Sequence, residues 1–286
     1  MLISILVNTK IVMHGDELLG LDLDDDLTDA PDGTVSSLYQ IGHAVLSIRQ
    51  HPGAGRQHAA GYEHLCPEES ASTTLPTAPD TGGYRSNTPN VGWLVWSSTF
   101  VLARHLMRTS WDGVHVLELV RWLCAISHQG THRRVHQGAG VGVLGLAMAK
   151  HGARVTLTDL PHVTPWTRLN AERNFAADDP LRPRVCDYMW GCADQAVDVL
   201  AGAENGFAVV LAADCVYEEQ YYPELLAALQ QTVAADGHAY VCYKRRRLRQ
   251  EMFAKAARGG GWGVEDVPLD DEEYCLLVLT PAKSIH

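Results

Sequence analysis

Gly138-Ala-Gly-Val-Gly142 stands at the head of a run of small apolar residues, Val141 to Lys150, that predicts a helix closed by Gly152. Glycines there let the backbone approach a ligand closely, and a helix N-terminus offers unpaired N–H groups. Asp159 follows seventeen residues after Gly142, at the tip of the strand expected over Arg154 to Thr158. A carboxylate in that place can accept both hydroxyls of a ribose, each charge-assisted bond being worth about 1.5–3 kcal/mol. Taken alone, Gly140-Val-Gly-Val-Leu-Gly145 also fits a tight turn with close helix packing, or a dinucleotide-binding loop. A second group, Asp214-Cys-Val-Tyr217, comes directly after the apolar strand expected over Phe207 to Ala213. Open α/β sheets place their active sites at such strand ends. A carboxylate and an aromatic ring three residues apart can receive an ammonium group by charge and cation–π attraction. A helix N-cap aspartate with a packed tyrosine is the plainer alternative.

The elements that must hold these residues follow one another in regular order from Val91 onward. Ser97 to Met107 has apolar positions at helical spacing, and Val114 to Leu119 reads as a buried strand. After Phe207 to Ala213 come a helix over Tyr222 to Val233 and a strand over His238 to Tyr243. A helix around Gln250 to Ala257 and a last strand over Tyr274 to Leu279 finish the chain. Strands alternating with helices predict a doubly wound, mostly parallel α/β sheet. Ahead of it, residues 1–50 read as an N-terminal β extension, with Thr34 to Gln50 as a strand, or as a hairpin if the chain turns at Gly42-His43. Met1 to Val7 reads as a first strand, since no basic region precedes it as a signal peptide would require. Residues 51–90, rich in Gly, Pro, Ser, Thr and Ala, read as a disordered linker or insertion. Residues 91–286 then form the main domain.

Composition narrows the classes. The 286 residues carry a formal charge of −11, which argues against general nucleic-acid binding and suits a basic protein partner. No apolar run reaches the ~18 residues of a membrane span. The seven cysteines are scattered with no C-x-x-C pair, so reduced thiols in a cytoplasmic or nuclear setting are expected. Asp22-Leu-Asp-Asp-Asp26 lacks the glutamate of a calcium loop and reads as an acidic turn. The basic run Lys244-Arg-Arg-Arg247 with Arg249 reads as a solvated helix start.

Together these stretches resemble the family-16 branch of class I methyltransferases, which includes many protein lysine methyltransferases. The resemblance is carried by Val95-Trp96, by Val116-Leu-Glu-Leu119 with Gly138-Ala-Gly-Val-Gly142, and by Val155-Thr-Leu-Thr-Asp-Leu-Pro161. Leu169-Asn170, Asp187 with Trp190-Gly191, and Asp214-Cys-Val-Tyr217 complete it, over roughly Val91 to Leu279. It implies a seven-stranded, Rossmann-like sheet with one antiparallel strand, and S-adenosylmethionine as cofactor. It further implies Glu118 and the glycine loop (Gly138, Gly140, Gly142) around the methionine moiety, and Asp159 on the ribose. Asp187 would lie near the adenine, Trp190 would belong to the cofactor-binding set, Trp96 would line the site, and Asp214 and Tyr217 would flank the methyl-acceptor channel. The acceptor implied is a lysine side chain of a protein.

One departure from that pattern stands out. In the family, the strand ending Glu-Leu runs straight into the glycines, whereas here residues 120–137 intervene. Deleting these 18 residues restores Leu-Glu-Leu-Gly-Ala-Gly-Val-Gly without a seam. The segment opens with valine, whose codons start GT, and closes with glutamine, one of whose codons is CAG. It therefore reads as a retained intron or a gene-model error, 54 nucleotides (three for each of 18 residues) keeping the frame. Cys124, His128, His132 and His136 recur every four residues in it, as metal ligands on one helix face could, but no second ligand cluster accompanies them and no metal site is expected. The insert also leaves open a catalytically impaired pseudoenzyme, and the glycine loop an NAD(P)-dependent oxidoreductase.

Overall fold

The structure, a computed structural model, describes residues 10–11, 21–22, 35–50, 95, 97–119, 141–216, 219–245 and 249–282. The expected strand at Met1 to Val7, the acidic turn after Asp22, the linker over 51–90 and the insert over 120–137 lie outside these residues. Two short strands, β1 (Lys10–Ile11) and β2 (Leu21–Asp22), pair antiparallel. The expected hairpin forms from β3 (Val35–Ile41) and β4 (Ala44–Gln50), turning at Gly42 and His43.

The main sheet is built from β5 (His115–Glu118), β6 (Arg154–Asp159), β7 (Arg184–Asp187), β8 (Phe207–Ala213), β9 (Val233–Lys244), β10 (Trp262–Val267) and β11 (Tyr274–Pro281). Its order is β10-β11-β9-β8-β5-β6-β7. Strands β7, β6, β5, β8 and β9 run parallel, and β11 is antiparallel to both its neighbours. This is the seven-stranded, mostly parallel sheet with one reversed strand that the resemblance implied. The helices are α1 (Ser97–Leu106), α2 (Val143–Lys150), α3 (Thr164–Asn174), α4 (Ala193–Leu200), α5 (Tyr222–Thr232) and α6 (Arg249–Gly259). None among the described residues is long and apolar enough to cross a membrane.

Period-two side-chain alternation divides the core into two layers. In β8, Val209, Leu211 and Ala213 join a layer with α1, α2 and the β3–β4 hairpin, while Val210 and Ala212 face α4, α5 and α6, joined by Phe207 across the register shift between Phe207 and Val209. Val116 and Leu117 of β5 divide the same way, as do Leu276 and Leu277 of β11. Buried on both faces, these strands read as near-continuous apolar runs. The hairpin, expected only to precede the main domain, belongs to its core: Tyr39, Ile41, Leu46 and Ile48 are buried among the residues of α1 and α2. Truncating one such buried leucine or isoleucine to alanine costs about 2–5 kcal/mol.

Candidate active site

Four parallel strands each end in, or just before, a carboxylate. Glu118 closes β5, Asp159 closes β6, Asp187 closes β7, and Asp214 follows β8. In the sheet they fall in the order Asp187, Asp159, Glu118, Asp214, along adjacent strand tips. Neighbouring strands lie about 4.8 Å apart, so the row is roughly 14 Å long. Strand order also reverses here, with β6 on one side of β5 and β8 on the other. That is the switch point where open α/β sheets bind ligands.

Glu118 is fully buried. Its Oε2 accepts the N–H of Gly145 at 2.9 Å, while Oε1 has no hydrogen-bond partner among the described residues. Burial pushes its carboxyl up to about 7, against the pull of the Gly145 N–H. Asp159 is 1% exposed. Its Oδ1 accepts the Leu160 N–H at 2.7 Å, and Oδ2 is likewise unpartnered among the described residues. Burial raises its carboxyl well above the usual range, and the charges of Glu118 and Asp187 add to the rise. A buried polar atom without a partner costs about 1–3 kcal/mol. Two of them on adjacent strand tips mark a place prepared for hydrogen-bond donors.

Gly142 and Gly145 explain why the facing helix is glycine-marked. Gly142 caps α2 with φ 76°, a conformation that favours glycine. At Gly145, a Cβ would stand 2.3 Å from Leu157 Cδ2 and 2.8 Å from Glu118 Oε2. Only a bare backbone lets α2 press onto β6 while its N–H grips Glu118. Gly138 and Gly140 lie outside the described residues, as do Trp96 and Tyr217.

Asp187 is held from one side: Thr164 Oγ1 donates to its Oδ1 at 2.5 Å and Arg168 at 3.1 Å. Trp190, three residues on, is buried and packs with Tyr188 and α4. Asp214, 6% exposed, has φ 53°, the one non-glycine residue in the left-handed region among those described. Such a conformation costs about 1–2 kcal/mol and persists only where surroundings impose it. Here Ser98 donates to Oδ2 at 2.6 Å, the Lys244 N–H reaches Oδ1 at 3.4 Å, and the Asp214 N–H binds Cys242 O at 2.7 Å. Asp214 is therefore a clamped residue at a strained bend, not the helix N-cap weighed as its alternative.

Sequence reasoning named the carboxylates but missed Ser98, Thr164, Arg168 and the Gly145 N–H that position them. The signal was present for Gly145, the last glycine of its motif. For Ser98 and Thr164 none exists without knowing which helix start meets which strand tip. No group of His, Cys, Asp and Glu among the described residues could hold a metal ion.

A family described as lysine methyltransferase matches residues 84–259, well over half of the chain. The chain belongs to the lysine methyltransferase family. It is thus an S-adenosylmethionine-dependent methyltransferase, and the reading of the glycine loop as a nicotinamide site is set aside. This methyltransferase is 27% identical over 188 residues to protein N-lysine methyltransferase METTL21A of Danio rerio, covering 62% of the chain and 83% of the relative. It is 31% identical over 118 residues to EEF1A lysine methyltransferase 3 of Xenopus tropicalis, covering 41% of the chain and 49% of that protein. The corresponding protein of Mus musculus is 35% identical over 112 residues, with 39% and 45% covered. The chain thus spans about half the length of these last two relatives. None of these matches supports a nicotinamide enzyme or a pseudoenzyme. The site suits the cofactor chemically: the free oxygens of Glu118 and Asp159 can accept an ammonium and ribose hydroxyls, and α2 presents its N-terminus beside them.

Proposed function

We propose that this chain methylates a lysine side chain of a protein, with its cofactor laid along the row of strand-end carboxylates. The adenine lies toward Asp187 and Trp190, the ribose at Asp159, and the methionine moiety at Glu118 and the loop of Gly138, Gly140 and Gly142. Trp96 lines the site, and Asp214 and Tyr217 flank the acceptor channel. The observation that carries the reading is the pair of buried oxygens on Glu118 and Asp159 that have no hydrogen-bond partner among the described residues, with the left-handed Gly142 heading the helix whose Gly145 N–H binds Glu118. Bound there, the cofactor supplies an electrophilic methyl group to an attacking amine.

The chain's own task is alignment and electrostatics. An ordinary lysine, with pKa ~10.4, must lose a proton at a cost of roughly 4–5 kcal/mol at neutral pH. An anion at Asp214 favours the ammonium, so its role is recognition and orientation, not proton removal. The net charge of −11 suits a basic acceptor protein. METTL21A is named a protein N-lysine methyltransferase and two other relatives for EEF1A, so EEF1A is the first acceptor to try. The free thiols of the described cysteines are consistent with cytoplasmic or nuclear residence. The test is transfer of labelled methyl to EEF1A and to lysine-rich proteins by wild type and Asp214→Ala. Loss of transfer with cofactor affinity within about twofold is expected; a fully active variant would remove Asp214 from the acceptor site.

A further inference from the structure

Among the described residues the hairpin strand β4 pairs with β3 on one edge, which leaves backbone groups of its other edge to be satisfied elsewhere. Two asparagines of α3, one helical turn apart, do this. Asn174 accepts the Ser47 N–H at 2.8 Å and donates to Ser47 O at 2.8 Å. Asn170 accepts the Arg49 N–H at 2.8 Å and donates to Arg49 O at 3.2 Å. Helix positions i and i+4 thus match strand positions two apart, and the amide orientations follow, since each side chain must offer one donor and one acceptor.

The two differ in what else they hold: Asn174, half-buried, also donates to Asn170 O at 2.7 Å, within its own helix. Asn170, completely buried, also donates to Val141 O at 3.1 Å. Val141 is the residue before the left-handed Gly142, so this bond fixes the carbonyl on the descending side of the cofactor loop. At the far end of α2 the hairpin turn touches the same helix again: His43 Nε2 lies 3.3 Å from Lys150 O, and His151 Nε2 lies 3.3 Å from Ile41 O. The hairpin therefore brackets α2, directly at its C-terminus and through Asn170 at its N-terminus.

We propose that Asn170 is a positioning residue for cofactor binding, coupling the docking of the β3–β4 hairpin to the shape of the loop at Val141 and Gly142. This rests on that loop being where the cofactor binds. Coupling between two sites is reciprocal, so cofactor must stabilise the hairpin as the hairpin stabilises the loop. Asn174 supplies the control, because it makes the same pair of bonds to β4 while its further bond goes to Asn170 O within α3 and not to Val141.

The probe is S-adenosylhomocysteine, with affinity measured by calorimetry and folding checked by thermal melting. Asn170→Ala and Asn174→Ala are expected to lower the melting temperature alike, while Asn170→Ala weakens the probe about tenfold more. Equal affinities in the two folded variants would reduce Asn170 to a strut for the hairpin. Wild-type amide exchange gives a second reading that needs no variant: saturating probe should slow exchange at Arg49 more than at Ser47. If the probe binds and Arg49 does not respond, the coupling is refuted and the cofactor site stands. If wild type does not bind the probe at all, the cofactor reading fails and takes this one with it.

Discussion

Cofactor binding should release a proton, and Glu118 is where it comes from. The carboxyl is fully buried with one free oxygen, and burial raises it to about 7. A cationic methionine ammonium against that oxygen favours the ionised form, so binding selects the deprotonated enzyme. If only that form binds, affinity follows the ionised fraction: about one-tenth at pH 6 and three-quarters at pH 7.5, given a value of about 7. The dissociation constant should therefore rise roughly eightfold on going from pH 7.5 to pH 6. The cofactor's own amine, an α-amino group titrating at about 7.7–8.0, stays mainly protonated over that range. Calorimetry in buffers of different ionisation enthalpy should also count about half a proton released per cofactor at pH 7. Glu118→Gln keeps the shape, removes the titration and should flatten this dependence. Asp159, raised in the same direction, accounts for any slope that remains. A Gln variant keeping the full wild-type slope, or a wild type with none, would refute the assignment.

The same shift fixes the sign of the apo protein's stability. Folded Glu118 holds a proton that the unfolded chain releases above about 4.5, so stability falls as pH rises from about 4.5 to 7, by about 3 kcal/mol for 2.5 units at a fully buried site; apo melting curves at pH 5 and 7 check it, and cofactor should close the gap. Gly145→Ala forces a Cβ against Leu157 and Glu118 and should cost about 1–3 kcal/mol of stability with a large loss of cofactor affinity; an unchanged calorimetric titration would show that the helix simply shifts. Ser98→Ala removes the hydroxyl on Asp214 Oδ2 and should lower methyl transfer about tenfold with cofactor affinity preserved, and Ser98→Thr should restore it; an equal loss from Ser98→Ala in an Asp214→Asn background would show the two act independently. Deleting residues 120–137 should give at least wild-type cofactor affinity and methyl transfer, measured side by side with the full chain, and an inactive deletion would make the insert part of the site.

Legibility in the sequence tracked burial. The strands over Val114 to Leu119 and Phe207 to Ala213 sit inside the sheet, covered on both faces, and their apolar runs announce them. The two strands not read individually, β7 and β10, are its edges. Their burial patterns are broken, with exposed Arg184 in one and exposed Gly263, Glu265 and Asp266 in the other, so neither period two nor a continuous run appears. Helices α3 and α4 were missed for a similar reason: few of their residues are buried, and α3 carries Pro165 in its first turn. At the site, Asp159 and Asp214 were legible because each stands at the tip of a strand that its apolar run announces, whereas Glu118 and Asp187 entered only through the family resemblance. Their partners were not, because Ser98 meets Asp214 across 116 positions, and only the packing of α1 against the end of β8 brings them together.

The insert separates two questions that the sequence runs together, whether the chain folds and whether the site assembles. Its stems are held by bonds that do not involve it. On one side the Leu119 N–H donates to Leu211 O at 2.8 Å, and Cys215 Sγ reaches Leu119 O at 3.7 Å. On the other, Val141 O is fixed by Asn170. Across the gap, the Gly145 N–H binds Glu118 Oε2, joining residues 27 positions apart. Loop-closure entropy grows by only about 0.6 kcal/mol per doubling of length, so 18 added residues cost roughly 1–2 kcal/mol, no more than the burial of one side chain such as Leu117 or Leu144 contributes. The strand and the helix of the candidate site are therefore positioned by the sheet and by α3, whatever path the chain takes between them. Comparing the full chain with the 120–137 deletion for cofactor affinity and for melting temperature answers the two questions separately: equal melting with unequal affinity would assign the insert to the site and not to the fold.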